Sequence, residues 1–183
     1  MASGTTRRRD GSPVDFKQAC SAWARAARPI LEQTARSYRT VINYQQLAEA
    51  VQEVTGITTG VPFRHWIGGV LEALAAAERP GEPILTSLVV HGDGTIGAGY
   101  ARPVEAREGK APADLEGHAA RERLQCYIHF GATLPPGGGR PYFTPTVASR
   151  RARTSPAKAK ERKACPTCFV TLPLSGACSE CDG

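Results

Sequence analysis

Three consecutive segments decide the fold: residues 37–56, SYRTVINYQQLAEAVQEVTG; residues 61–83, VPFRHWIGGVLEALAAAERPGEP; and residues 84–101, ILTSLVVHGDGTIGAGYA. In the first, residues 38–42 alternate with β-branched side chains and predict a short strand. Asn43 then caps a helix whose Gln46 can reach back to the cap, with Leu47, Ala48, Val51 and Val54 inside and Gly56 as its stop. In the second, Pro62 opens a helix with Trp66, Ile67, Val70, Leu71 and Leu74 at helical spacing. Gly68 and Gly69 each cost that helix about 1 kcal/mol relative to Ala, so close packing against a neighbour is expected to compensate. In the third, residues 84–90 read as an apolar strand buried on both faces. His91, Gly92, Asp93 and Gly94 turn the chain, and residues 95–100 return as its hairpin partner. Helix, turn, helix and then hairpin is the order of a winged-helix module. The fold class is α+β, mostly helical.

Outward from this centre, a helix is expected to start near Ser12, with Ser12 as N-cap, Pro13 at the first helical position and Asp15 completing a capping box. Its inner face is Cys20, Trp23, Ala27, Ile30, Leu31 and Thr34, and Pro29 should kink or divide it. Cys20 and Cys126 read as buried thiols. Residues 101–112 read as a polar loop. A last helix over residues 114–130 buries Leu115, Ala119, Leu124, Tyr127 and Ile128. The organisation read from this pass is a disordered tail over 1–11 and a winged-helix-like domain over 12–131. A linker over 132–164 follows, first Pro/Gly-rich and then basic, and a small cysteine-bearing module occupies 165–183.

The formal charge of +6 on 183 residues is unevenly placed. Residues 14–139 hold 12 Lys/Arg against 13 Asp/Glu, whereas residues 140–163 hold 8 basic residues against one acid. The body is therefore near neutral and the surplus lies in the flanks. Arg150, Arg151, Arg153, Lys158, Lys160, Arg162 and Lys163 make a basic tether that attracts polyanions without reading sequence. No run approaches the roughly 20 apolar residues of a membrane span, and the basic N-terminus has no apolar stretch behind it. The location expected is the cytoplasm, the nucleoid included.

Cys165-Pro-Thr-Cys168 and Cys178-Ser-Glu-Cys181, nine residues apart, are the strongest chemical signal. Two CxxC knuckles bring four thiolates to one Zn²⁺ in a compact ribbon. Four cysteine ligands leave no open position, so this zinc is structural. A segment this short needs the metal to fold. Arg64, His65 and Trp66 open the second helix, where a recognition helix meets base edges; equally, Trp66 can be core with Arg64 and His65 solvated. His91 and Asp93 read as turn residues. No Ser/His/Asp set, phosphate loop or paired carboxylate stands out, so no enzyme is expected.

The order of motifs resembles the DNA-binding domain of the alkylguanine-DNA alkyltransferase family. That family runs TYGELA, RAVGGAL, PCHRVV, SDG, GGYA and a closing helix. Here Asn43-Tyr44-Gln45-Gln46-Leu47-Ala48 stands at the first motif and His65-Trp66-Ile67-Gly68-Gly69-Val70-Leu71 at the second. Val89-Val90-His91-Gly92-Asp93-Gly94 and Gly97-Ala98-Gly99-Tyr100-Ala101 follow in order, so the likeness covers roughly residues 36–130. Where the family has Pro-Cys-His-Arg this chain has Leu85-Thr86-Ser87-Leu88: the acceptor cysteine becomes Thr86, the activating histidine Ser87 and the arginine Leu88. The intercalating arginine aligns with His65, beside Arg64, and Tyr44 falls at the DNA face. The resemblance implies duplex binding without alkyl transfer, because a threonine hydroxyl with no adjacent base is a poor nucleophile. The rival expectation is an adaptor, in which the helical domain and the ribbon bind protein partners and the tether is only a linker.

Overall fold

The computed structural model describes residues 4–154, so the Cys165, Cys168, Cys178 and Cys181 set and the tether residues Lys158, Lys160, Arg162 and Lys163 lie outside the described residues. The chain divides into two units, Met1–Val147 and Ala148–Gly183. The first unit is α+β and mostly helical. In chain order its elements are β1 (Thr5–Arg7), α1 (Phe16–Ala35), β2 (Ile42–Asn43), α2 (Tyr44–Thr55), β3 (Ile57–Thr59), α3 (Ile67–Ala76), β4 (Val89–Val90), α4 (Ala101–Glu108) and α5 (Leu115–His129). Single 3₁₀ turns cover Phe63–His65, Leu85–Leu88 and Ala98–Tyr100. The last helix, α6 (Pro145–Thr154), begins in the first unit and carries Arg150, Arg151 and Arg153 of the second.

The core forms around α1. Its inner face is largely alanine (Ala19, Ala24, Ala26, Ala27 and Ala35), and these small residues let α2 and α3 pack closely. Trp23, fully buried, stacks on Trp66 with ring centroids 4.3 Å apart. Each indole N–H finds a carbonyl, Trp23 on Ile57 and Trp66 on Val61, both at 3.1 Å, so neither ring carries an unpaid buried donor. A second cluster of Ile84, Ile96, Tyr100, Val104 and Ala119 joins α4 to α5.

The Asn43/Gln46 capping box and the left-handed Gly56 stop of α2 are present as read from the sequence. So is α5, capped by Asp114, which accepts from Gly117 N at 2.9 Å. Other expectations are corrected. Asp15, not Ser12, caps α1 through Gln18 N, and α1 runs unbroken through Pro29, which sits on its exposed side. Part of the segment read as a disordered tail is ordered: β1 pairs antiparallel with β3, and Arg8 N donates to Gly56 O at 2.7 Å. Residues 38–42 are not a strand of their own. Only Ile42 and Asn43 pair, and they do so in parallel with Val89 and Val90.

Residues 84–90 are buried throughout, as their apolar run predicts, yet Leu85–Leu88 turn as a 3₁₀ helix and the expected hairpin reduces to one bridge, Val90 to Ile96. Ser87 N donating to Ile84 O, and the turn at Ala98–Tyr100 on the return side, use the backbone locally instead of in a ladder. Residues 101–108 form α4 rather than a loop, with Val104 buried in the second cluster. Residues 132–144, read as linker, are irregular but pinned to the body. Tyr142 N donates to Ala120 O, Arg123 reaches Tyr142 O at 3.1 Å, and Arg140 N donates to the Tyr38 hydroxyl at 2.8 Å. The residues that follow are helix α6 up to Thr154, where the basic composition predicts disorder. Finally, Gly68 and Gly69 have open space where a Cβ would stand, so no close neighbour compensates their presence.

Candidate nucleic-acid interface

The capping box that starts α2 also fixes where Tyr44 stands, one residue after the cap. On the facing side, the turn after β4 is held by local hydrogen bonds. His91 N donates to Thr95 O and Gly94 N to His91 O, both at 2.8 Å, and the Asp93 carboxylate accepts from Thr95 N at 2.9 Å. Gly94 supplies the positive φ of 83° that the turn needs. Thr144 locks the turn from behind, its hydroxyl donating to Gly94 O at 2.8 Å. The result is that His91 lies against Tyr44, ring centroids 4.9 Å apart. Gly97 is required by this arrangement: a Cβ there would stand 2.1 Å from the Tyr44 hydroxyl. Burial raises the pKa of that phenol.

Between these two walls opens a groove of about 620 Å³. Asn43, Tyr44 and Gln45 form one side, His91, Gly92 and residues 97–99 the other, and Phe63, Arg64, Ile67 and Gly68 close it from the start of α3. Arg64 is exposed and in no ion pair among the described residues. It supplies the cation of the groove. His65 is exposed but not part of the lining, and Trp66 is core at 3% exposure, so the sequence trio splits. A helical turn places Arg64 and Trp66 on opposite sides because neighbouring positions do not share a face. His91 and Phe63 were missed as site residues; a turn histidine carries no signal until Tyr44 is brought to it.

Behind the groove, and sharing Tyr44, Gly68 and Gly99 with it, lies a chamber of about 70 Å³ completed by Leu71, Glu72, Thr86, Tyr100 and Pro103. Thr86 is 6% exposed and its Oγ1 has no hydrogen-bond partner among the described residues. Ser87 Oγ lies 3.7 Å from Cys126 Sγ, and Leu88 is fully buried core. Burial pushes the Cys126 thiol up to about 12. Arg123, also fully buried, donates through Nε to Ser87 O at 2.7 Å, and desolvation lowers its pKa. Tyr100 Oη is 3.0 Å from His118 Nδ1, and His118 Nε2 is 2.9 Å from Glu108 Oε1. That histidine bond is the main cause of a lowered Glu108 pKa. An ionised Glu108 can only accept, so His118 gives it the Nε2 proton. Burial raises the Tyr100 pKa and keeps the phenol neutral.

Among the described residues no group of three or more His, Cys, Asp or Glu could hold a metal, and no helix is long and apolar enough to cross a membrane. No family model, curated protein or solved structure matches the chain.

Proposed function

We propose that this chain is a non-enzymatic DNA-binding protein, in which a winged-helix-like body of the alkyltransferase-like kind docks on duplex through the Tyr44–Arg64–His91 groove. The observation that carries the reading is the convergence, on one groove, of an unpaired arginine, a stacked Tyr/His pair and a run of glycines at 97 and 99. Arginine meets phosphate or base edges, the aromatic pair offers a stacking face, and side-chain-free backbone allows close approach. The basic tether adds salt-dependent affinity, and the Cys165/Cys168/Cys178/Cys181 set forms a structural zinc ribbon that grips nucleic acid or a protein partner. Alkyl transfer is not part of the function. By the resemblance Thr86 takes the acceptor position; among the described residues its hydroxyl has no hydrogen-bond partner, and the Cys126 thiol, beside Ser87, is buried and held protonated.

The adaptor reading keeps one point in its favour, the near-neutral charge of residues 14–139. Anisotropy of labelled duplex DNA, titrated with salt, separates the two. Changing Arg64 and His65 together to Ala should weaken binding on the order of tenfold, about 1.4 kcal/mol, with a nearly intact salt slope. Binding equal to the parent at every salt concentration sinks duplex docking by this groove and leaves the adaptor. Metal analysis of the purified chain should find about one zinc per molecule, lost in Cys168→Ser; a metal-free protein with freely reactive thiols removes the ribbon.

A further inference from the structure

A second and larger cleft, of about 910 Å³, lies between α1 and the β1/β3 pair. It is at the other end of α2 from the groove: Tyr44 begins that helix and lines the groove, while Thr55 ends it and lines the cleft. The two ends are about 17 Å apart at 1.5 Å rise per residue. One wall is α1, where Lys17 and Arg25 stand two turns apart; the other is Arg7, the last residue of β1. That second wall is built. Besides the β1/β3 ladder, Val14 N donates to Thr5 O at 2.8 Å and Arg7 N to Ser12 O at 3.0 Å.

The charge of the lining is one-sided. Arg7, Lys17 and Arg25 are exposed, and among the described residues none of them sits in an ion pair. The single carboxylate in the lining, Asp15, is engaged in capping α1. Between the cations the floor is small and apolar: Ala22 half-buried, Ala26 and Ile57 buried.

We propose that this cleft binds an acidic, amphipathic peptide segment of a partner protein. Three cations against one lining carboxylate, Asp15, leave a positive surplus that attracts carboxylates, and a floor of alanines and one isoleucine leaves a shallow seat for an aliphatic side chain. A nucleic-acid backbone would use the cations and gain nothing from that floor. Lys17 and Arg25, eight helical positions apart, span about 12 Å. An extended peptide advances about 3.3 Å per residue, so acids roughly four residues apart meet both. Because the cleft is at the far end of α2, a peptide there leaves the groove open. The inference does not rest on the duplex-binding reading.

The test is fluorescence anisotropy on the full chain with a short peptide alternating Glu and Leu, its Lys/Leu counterpart, and DNA strands of matched length. The Glu/Leu peptide should bind and the Lys/Leu peptide should not. Lys17→Glu with Arg25→Glu should weaken the Glu/Leu peptide at least tenfold; whatever affinity all variants share belongs to the basic tether. Ala22→Lys discriminates the ligands, since it adds a cation but fills the floor: peptide binding should fall. Melting curves establish that each variant is folded, and Arg7→Gln replaces the double variant should that one unfold. The proposal is overturned if the Glu/Leu peptide has no advantage over Lys/Leu, or if folded cation variants bind it like the parent. It is equally overturned if Ala22→Lys strengthens DNA while the cation variants lose it and the peptide is indifferent to all of them; the cleft is then a nucleic-acid surface.

Discussion

Thr86 carries a hydroxyl into the wall of the small chamber, buried and without a hydrogen-bond partner among the described residues. An unsatisfied buried hydroxyl costs on the order of 1–3 kcal/mol, and valine keeps its shape without that cost. Thr86→Val should therefore melt no lower than the parent and gain about 1 kcal/mol; a loss of more than that would show the hydroxyl to be bonded in solution. The same hydroxyl should take no alkyl group. After incubation with alkylated duplex, peptide mass mapping should find Thr86 and Cys126 unmodified. An adduct on either reverses the assignment of a non-transferring site. The neighbours explain the expectation: Ser87 faces a thiol rather than water, and Arg123 spends its Nε on the Ser87 carbonyl, which fixes backbone and activates nothing.

Among the elements, two glycines that look alike in sequence part company. Gly97 faces the Tyr44 hydroxyl, so Gly97→Ala must push the tyrosine off His91 or move the turn, at roughly 1–3 kcal/mol. Gly68 sits inside α3 with open space around it, and Gly68→Ala should stabilise by about 0.5–1 kcal/mol. Paired thermal melts decide, and equal shifts would mean that the Tyr44 contact yields freely. The end of α3 brings a titration. Glu78 has a side chain only 2% exposed and accepts from Leu85 N and from Arg107. Desolvation nevertheless outweighs both and raises it from 4.5 to about 7. The folded state then holds a proton that the unfolded state has released, so stability falls as pH rises from about 4.5 to 7, by on the order of 3 kcal/mol. Glu78→Gln keeps an acceptor for Leu85 and should flatten that slope in denaturant melts; an unchanged slope assigns it to other groups. Such elements also show what the sequence could tell. Val54 and Ile128, read as buried, are exposed near the ends of their helices. The caps of α2 and α5 and most of the inner faces of α2 and α3 were legible because apolar spacing and caps are local. The 3₁₀ turn at Leu85–Leu88 was not, since a buried apolar run fits strand or turn alike. Nor was α4, whose one buried residue, Val104, leaves no stripe. Residues 132–144 were misread because composition does not record the backbone bonds to Ala120, Arg123 and Tyr38 that hold them. The groove draws on residues 43–45, 63–64, 67–68, 91–92 and 97–99, which no local pattern in the sequence joins.

At the scale of the molecule, the proposed duplex binding would divide its affinity between a nearly neutral stretch, residues 14–139, and a basic one, residues 140–163. Residues 140–163 carry 8 of the 23 basic residues and one acid, while among the described residues the groove is lined by one arginine, Arg64, which forms no ion pair there. On the proposed function, long-range attraction would belong to the tether and register to the groove. Each phosphate contact on B-DNA contributes about 0.9 to the slope of log affinity against log salt. Deleting residues 148–183 should weaken duplex binding sharply at low salt and flatten that slope. This deletion also removes the four cysteines, so a second variant is needed in which the eight basic residues of 140–163 are made neutral and the cysteines kept. If charge is the handle, the neutral variant matches the deletion in slope, and the residual affinity of both remains sensitive to Arg64→Ala. If the neutral variant binds like the parent while the deletion does not, the cysteine module makes the contact instead. Should both variants bind like the parent, the tether is a linker, and an Arg64→Ala effect that survives alone would place the whole affinity in the groove.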